Sequence, residues 1–147
     1  MPPKTVPAPA IAAAQSLRVL VGRLRRKMMD ATAVGDLTSA QASALARLAK
    51  LEPTTASVLA GAERVRPQSM AATVAALEKL GLVRREDDPG DGRRQLIFFT
   101  PEGRAYAKGA RASREEWLAR ALAEQLTEAE VAVVNEALAL LGRIVEP

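Results

Sequence analysis

The side chains able to do chemistry in this sequence are arginines and carboxylates, because the chain contains neither cysteine nor histidine. That composition argues against disulfides, thiolate metal sites and any catalytic triad or general base that needs histidine. Three aspartates, Asp87, Asp88 and Asp91, cluster with Arg93 and Arg94 on a segment rich in turn formers. A solvated turn explains this mixture of charges better than an active site does. We therefore predict that the protein is not an enzyme and holds neither a metal nor a cofactor.

The arginines of this segment suggest a different chemistry, the binding of a polyanion. Pro89-Gly90 and Asp91-Gly92 are strong turn formers between two short apolar runs, so residues 82–99 predict a β-hairpin with a protruding tip. An arginine at such a tip can enter the minor groove of DNA, where the negative potential is strongest. The residues leave a second interpretation open, in which Asp91 pairs with an arginine in an ordinary solvated turn.

A second group of polar side chains stands at the start of a helix whose first residue is Pro67. The side chains predicted to point outward there are Gln68, Ser69, Ala72 and Thr73. Gln68 can pair with an adenine edge, Ser69 and Thr73 suit bases or phosphates, and the alanine offers only a methyl contact. Arg66, directly before the helix, fits a phosphate contact. Ordinary polar residues of a first helical turn remain the alternative.

Helices and one hairpin must position these groups. Apolar spacing and turn signals predict helices over about 10–30, 38–52, 55–64 and 67–80, strands over 82–86 and 95–99, and helices over about 101–125 and 127–145. Thr38 with Gln41, and Thr127 with Glu130, have the spacing of capping boxes. Met70, Val74 and Leu77 should point inward from the fourth helix. The predicted order is α-α-α-α-β-β-α-α, a mainly α fold with a small β-hairpin.

The terminal helices carry apolar faces that have little neighbouring core to cover them. On the first helix these residues are Leu17, Val21 and Leu24, and on the last they are Val134, Leu138 and Leu141. Soluble monomers rarely expose large apolar patches, and closed two-fold symmetry is the commonest way to cover them. The sequence therefore predicts a homodimer that forms through both ends of the chain.

Residues 38–104 resemble the multiple-antibiotic-resistance regulator (MarR) family. The resemblance is strongest from Asp88 to Gln95 and from Thr100 to Arg104, which look like the wing of that family and the helix after it. Leu77-Glu78-Lys79-Leu80-Gly81-Leu82-Val83 looks like its helix-to-wing junction. The sequence departs from the family at two positions. In the turn before Pro67, Arg64 stands where the family often has glycine. In the helix that begins at Pro67, here called the reader helix because it would contact the bases, Ala72 stands where the family often has arginine.

The resemblance implies a winged helix-turn-helix regulator, a dimeric repressor or activator, and we predict a repressor that binds an inverted repeat of double-stranded DNA. It assigns Asp91 and Arg93 to the wing by position, and it implies a small anionic or aromatic effector near the domain junction. Arg84, Arg85 and Arg94 are further candidates for DNA contact, and the net charge of +4 suits a polyanionic partner.

These observations divide the chain into three parts. Residues 1–9 are predicted to be a disordered arm, residues 10–36 and 101–147 the helical dimerisation region, and residues 37–100 the DNA-binding domain. No apolar run reaches the length of about 18 residues needed to cross a bilayer, so we expect a cytoplasmic protein without a membrane partner. The alternative is a winged helix used only for protein–protein interaction, which the arginines at the wing tip argue against.

Overall fold

The computed structural model describes residues 5–32, Gly35 and residues 37–146. Its elements are α1 (Ala8–Ala31), α2 (Ser39–Leu51), α3 (Ala56–Glu63), α4 (Pro67–Lys79), β1 (Val83–Asp88), β2 (Asp91–Phe99), α5 (Pro101–Gln125) and α6 (Glu128–Val145). The predicted order and the mainly helical class are therefore confirmed. Each helix boundary lies within two residues of its predicted position, whereas both strands are longer than predicted.

Threonine caps explain where several helices begin. The Thr38 hydroxyl accepts from the Gln41 backbone N–H at 3.2 Å, and the Gln41 amide accepts from the Thr38 N–H at 3.0 Å. Thr127 and Glu130 form the second predicted capping box. Single caps by Thr55 and Thr100 start α3 and α5. These side chains satisfy N–H groups that have no partner inside a helix.

The hydrophobic core lies between α2, α3, α4 and the base of the hairpin. Its buried side chains are Ala44, Leu45, Leu48, Leu59, Ala60, Met70, Val74, Leu77, Val83, Ile97 and Phe99. β1 and β2 pair antiparallel, with Val83 opposite Phe99, and the Ile97 N–H donates to the Thr54 carbonyl at 2.7 Å. The inward prediction for Met70, Val74 and Leu77 is confirmed. The hairpin is thus bonded directly to the chain that connects α2 with α3.

The hairpin differs from the prediction at its tip. β2 already begins at Asp91, so Arg93 and Arg94 belong to the strand rather than to a loop. Asp87 pairs with Gln95, but the next residue of β1, Asp88, pairs with Asp91 at the start of β2. Residues 92–94 therefore form a bulge, which breaks the regular alternation of side chains. The two arginines lie on this bulge, close to the Pro89-Gly90 turn.

The terminal helices contribute little to the core. Within the described residues, neither α1 nor α6 has a buried side chain, and the buried residue of α5 is Gly103. α1 begins at Ala8, so the last residues of the predicted arm, residues 8 and 9, belong to this helix. Pro9 is its second residue, a position that tolerates proline because the backbone N–H there has no partner inside the helix. Residues 1–4, and Asp36 at the predicted domain boundary, lie outside the described residues. None of the described helices is long and apolar enough to cross a membrane.

Gly103 lets α5 approach the hairpin closely. A Cβ atom at this position would overlap the backbone carbonyl of Leu82. We expect Gly103→Ala to lower the free energy of unfolding by about 1–3 kcal/mol, because backbone atoms must move to admit the methyl group. Gly109→Ala is the matched control, since nothing lies within 4 Å of its Cβ position. The free energy of unfolding of that variant should rise by about 0.5–1 kcal/mol, because alanine has a higher helix propensity than glycine. Urea unfolding measures both changes, and equal stabilities would contradict the close contact.

Candidate nucleic-acid interface and the adjoining cleft

The first turns of α4 present an exposed polar surface. Gln68, Ser69 and Ala72 are exposed, and Arg66 is the exposed N-cap residue. Thr73 differs from the prediction, because its half-buried hydroxyl donates to the Ser69 carbonyl at 3.0 Å. This surface therefore offers one amide, one free hydroxyl and one methyl group, with an arginine before them.

The turn between α3 and α4 is held in a conformation that favours glycine. Arg64 lies in the left-handed region with φ 54°, and the Val65 N–H donates to the Ala60 carbonyl at 3.0 Å. This 6→1 bond closes α3 as a Schellman motif. The departure at Arg64 noted in the sequence thus falls on a position where a side chain costs backbone energy. Its exposed guanidinium is a cation beside α4 that the sequence prediction did not include.

The two arginines of β1 are already engaged within the protein. Arg85 binds the Glu78 carboxylate through two nitrogens, at 3.0 and 3.1 Å. The hydrogen bond from Arg85 holds the pKa of Glu78 below its usual range. Arg84 pairs with Glu86 and lies 4.5 Å from the centre of the Phe98 ring. The Glu78–Arg85 pair joins α4 to the hairpin, and so fixes the wing relative to the exposed surface of the helix.

At the tip, the two neighbouring arginines have different surroundings. Asp91 accepts a hydrogen bond from the Arg93 backbone N–H at 3.1 Å, and among the described residues no ion pair joins it to an arginine side chain, which argues against the alternative of an Asp91–arginine pair. Asp88 instead lies 3.7 Å from the Arg94 guanidinium. Among the described residues, the exposed Arg93 guanidinium has no carboxylate or aromatic partner. Arg93 is therefore the more available cation of the two.

A cleft of about 760 Å³ lies between α1, α2 and the first half of α5. Apolar side chains such as Leu24, Met28 and Leu45 form much of its wall. Among the described residues, its basic lining residues are Arg25, Arg47, Lys50, Arg104, Lys108, Arg111 and Arg114, against a single acidic one, Asp30. A mixed apolar and cationic lining of this kind suits an organic anion.

Next to this cleft, Glu63 of α3 binds side chains from two other helices, α1 and α2. Its carboxylate accepts from Arg47 at 3.0 Å, from the Ser43 hydroxyl at 2.7 Å and from Arg25 at 3.3 Å. Arg25 also donates to Ser43 at 2.7 Å. Burial alone would raise the pKa of Glu63, but the hydrogen bonds and the two positive charges outweigh it and lower the pKa. We call Arg25, Ser43, Arg47 and Glu63 the Glu63 network.

The Glu63 network was missed at the sequence level, and sequence spacing gives no signal for it. Arg25 and Glu63 are 38 residues apart, and Arg47 and Glu63 are 16 apart. Only the packing of α1 and α2 against α3 brings them together. A second such contact joins Arg104 to Glu52 at 2.7 Å, where Glu52 also accepts from the Phe99 N–H.

The predicted dimerisation residues fall into two groups. Leu17, Leu24, Val134 and Leu141 are half-buried within the chain, whereas Val21 and Leu138 are 55% and 58% exposed. Several exposed apolar residues of these helices lie outside the predicted dimerisation set, namely Leu20, Val133, Leu140, Ile144 and Val145. The apolar surface of α6 is therefore wider than the single stripe predicted from spacing.

Comparisons with known proteins agree with this geometry. The model of the MarR family matches residues 37–94. A helix-turn-helix-type transcriptional regulator of Mycobacterium bovis is 36% identical over 133 residues, which are 90% of this chain and 92% of that protein. One from Mycobacterium leprae is 38% identical over 109 residues, which are 74% of this chain and 76% of the relative. The first of these matches is much longer than residues 37–100 and so extends into the terminal helices.

Solved structures extend the likeness to the whole fold. A transcriptional regulator from Pseudomonas aeruginosa has a TM-score of 0.73 at 34% identity, over 97% of this chain and 99% of that one. A mutant of MarR from E. coli also has a TM-score of 0.73, at 20% identity over 97% and 99% of the two chains. A mutant of MepR from S. aureus, bound to an oligodeoxyribonucleotide, scores 0.59 at 21% identity over 91% and 98%. The last two comparisons concern the fold alone.

The surroundings of Glu63 predict a pH-dependent contribution to stability. We expect Glu63→Gln to lower the free energy of unfolding by about 1–2 kcal/mol at neutral pH, since it weakens hydrogen bonds to charged groups. The native pKa lies below the unfolded value, so this contribution is complete above the unfolded pKa and is lost as the pH falls through the native one. Urea unfolding of both proteins between about pH 3 and 7 measures it.

The difference between wild type and Glu63→Gln should therefore disappear at the acid end of the series. Glu116→Gln is the control, because Glu116 is an exposed carboxylate whose ion pair, within the described residues, is with Arg120 on the same helix. It should change stability little at any pH. A difference for Glu63→Gln that stays constant down to the acid end would contradict a role for the charge.

Proposed function

The chain belongs to the MarR family of transcriptional regulators, and we propose that it acts as a homodimeric repressor that an organic anion releases from DNA. That it is a DNA-binding regulator and not an enzyme follows from its family. The observation that carries the finer proposal is the exposed start of α4 beside a hairpin whose Arg93 is unpaired within the described residues. A helix of this size fits the major groove while an arginine beside it reaches the minor groove.

The proposed contacts divide into positioning and sequence recognition. Arg64 and Arg66, exposed on either side of Val65, suit the phosphates next to the major groove. Gln68 and Ser69 face outward to meet base edges. Arg84 and Arg85 remain proposed phosphate contacts, although each must share its charge with a carboxylate of the protein. We expect these two to contribute less than the unpaired arginines.

Dimerisation is supported by the apolar surface that the single chain leaves uncovered. Val21 on α1 and Val133, Leu138, Leu140 and Ile144 on α6 are all at least half exposed. A two-fold dimer would cover both helices and present two copies of α4 to one side of the duplex. The half-sites should then lie about one turn of DNA apart.

The cleft supports the proposed effector. It lies between α1 and α5, which belong to the proposed dimerisation region, and α2, which belongs to the winged unit. Among the described residues, Lys50, Lys108 and Arg114 line it without an acidic partner, so an anion there gains Coulomb energy without displacing a carboxylate. An aromatic carboxylate of modest size matches the apolar wall and the basic rim.

Footprinting on the DNA upstream of the gene should reveal a two-fold symmetric site. Protection is expected over two half-sites about one helical turn apart, because two reader helices bind together. The logarithm of the affinity should fall with the logarithm of the salt concentration, with a slope of about −0.9 for each phosphate contacted. A single short asymmetric footprint would contradict the dimer, and an affinity unaffected by salt would contradict the phosphate contacts.

Arg93→Ala should weaken DNA binding by about 1–3 kcal/mol, the range of a good base contact. The exposed side chain makes no contact with the core, so thermal stability should stay within about 0.5 kcal/mol of the wild type. Arg94→Ala is the matched control and should lose less affinity, because Asp88 already holds that guanidinium. Fluorescence anisotropy with a labelled operator gives both affinities, and equal losses for the two variants would refute this ranking.

Leu138→Glu should convert the dimer into a monomer. The side chain is 58% exposed in the single chain, so the change does not disturb the fold but buries a charge in the proposed interface. Ala132→Glu places the same charge on the face that carries Glu136 and Arg143, and it should leave the dimer intact. Sedimentation velocity at micromolar concentration distinguishes the two. A Leu138→Glu variant that remains dimeric would exclude this face from the interface.

A further inference from the structure

Two arginines that line the cleft also form ion pairs with α3, the helix before the reader helix α4. Arg25 and Arg47 both line the cleft, and both donate to the same Glu63 oxygen, at 3.3 and 3.0 Å. The exposed fractions of the two arginine side chains are 47% and 32%, whereas Glu63 retains only 10%. The arginines are therefore accessible from the cleft, while the carboxylate is enclosed by its partners.

Glu63 occupies a position from which it can control the reader helix. It is the last residue of α3, and Arg64, with its left-handed backbone, follows it directly. Residues 64–66 then lead into α4. The Ser43 hydroxyl donates to the second Glu63 oxygen at 2.7 Å, so the carboxylate is fixed from two sides. The Glu63 network thus ties the end of α3 to α1 and α2.

An anion that binds at the side of the cleft lined by Arg25 and Arg47 must compete with Glu63 for these arginines. A guanidinium can bind two carboxylates only by dividing its donors between them, and each bond is then weaker than a dedicated pair. Glu63 would lose its charge partners while remaining enclosed, which is unfavourable for a carboxylate. The end of α3, already strained at Arg64, is the segment that can move in response.

We propose that Glu63 is an internal competitor for the effector, and that a carboxylate bound by Arg25 and Arg47 releases Glu63 and loosens the α3–α4 turn. The inference rests on the proposed function and adds how the cleft communicates with DNA. By linkage, the ligand that releases Glu63 must bind the DNA-bound protein more weakly by the same factor.

Glu63→Gln tests the competition with benzoate as the probe. The amide keeps the shape of the side chain but removes the negative charge, so it competes with the ligand for both arginines much more weakly. Calorimetry should show benzoate binding about 5-fold or more tighter than in the wild type, within the usual range of coupling between sites. A saturating concentration of benzoate should weaken operator binding by the wild type about 5–150-fold. The same addition should change operator binding by the variant less than about 2-fold.

Glu52→Gln is the matched control, because it frees another cleft arginine, Arg104, without touching α3. It should retain the response of DNA binding to benzoate. If Glu63→Gln binds benzoate no tighter than the wild type, or keeps the full response, the competition is refuted while the proposed function stands. If benzoate binds neither protein, both the carboxylate effector and this inference are overturned. If the wild type does not bind the operator even in the absence of benzoate, the proposed function itself is contradicted.

Discussion

The constraint on which the rest of the structure depends is the position of the apolar core. Every buried apolar side chain among the described residues lies between Ala44 and Phe99. These side chains pack α3 and α4 against the hairpin, which places the polar start of α4 beside the wing. α1 and α6 receive no share of that core, and their apolar faces stay open to a second chain. One distribution of hydrophobic residues thus gives α2, α3, α4 and the hairpin a common core and leaves the apolar faces of α1 and α6 uncovered in the single chain.

The sequence was sufficient for features that depend on local spacing. Thr38 with Gln41 and Thr127 with Glu130 specify helix starts within four residues, and both capping boxes form. Met70, Val74 and Leu77 recur at helical intervals and point inward as expected. These features depend on neighbouring residues, so no knowledge of the tertiary structure is required to find them.

Pairing between distant side chains could not be predicted in the same way. The tip illustrates the difference, because Asp91 binds a backbone N–H while Asp88 takes the nearby guanidinium. A bulge at residues 92–94 decides this choice, and the turn formers alone do not specify a bulge. The Glu63 network is more distant still, since it needs three helices to pack before its members meet. The sequence therefore predicted which candidate positions are exposed better than it predicted which of their charges are unpaired.

The ionic hydrogen bonds that join α1 to α2 and α3 have a physical consequence. The described part of α1 fully buries no side chain, and Arg25 joins it to α2 through Ser43 and to α3 through Glu63. An apolar attachment resists change, because separating it opens a cavity or exposes hydrocarbon to water. An ionic attachment can exchange one anion for another with little change in volume. The same residues can therefore hold α3 in place when the cleft is empty and yield it when a competing carboxylate arrives, which a hydrophobic contact at this position would not permit.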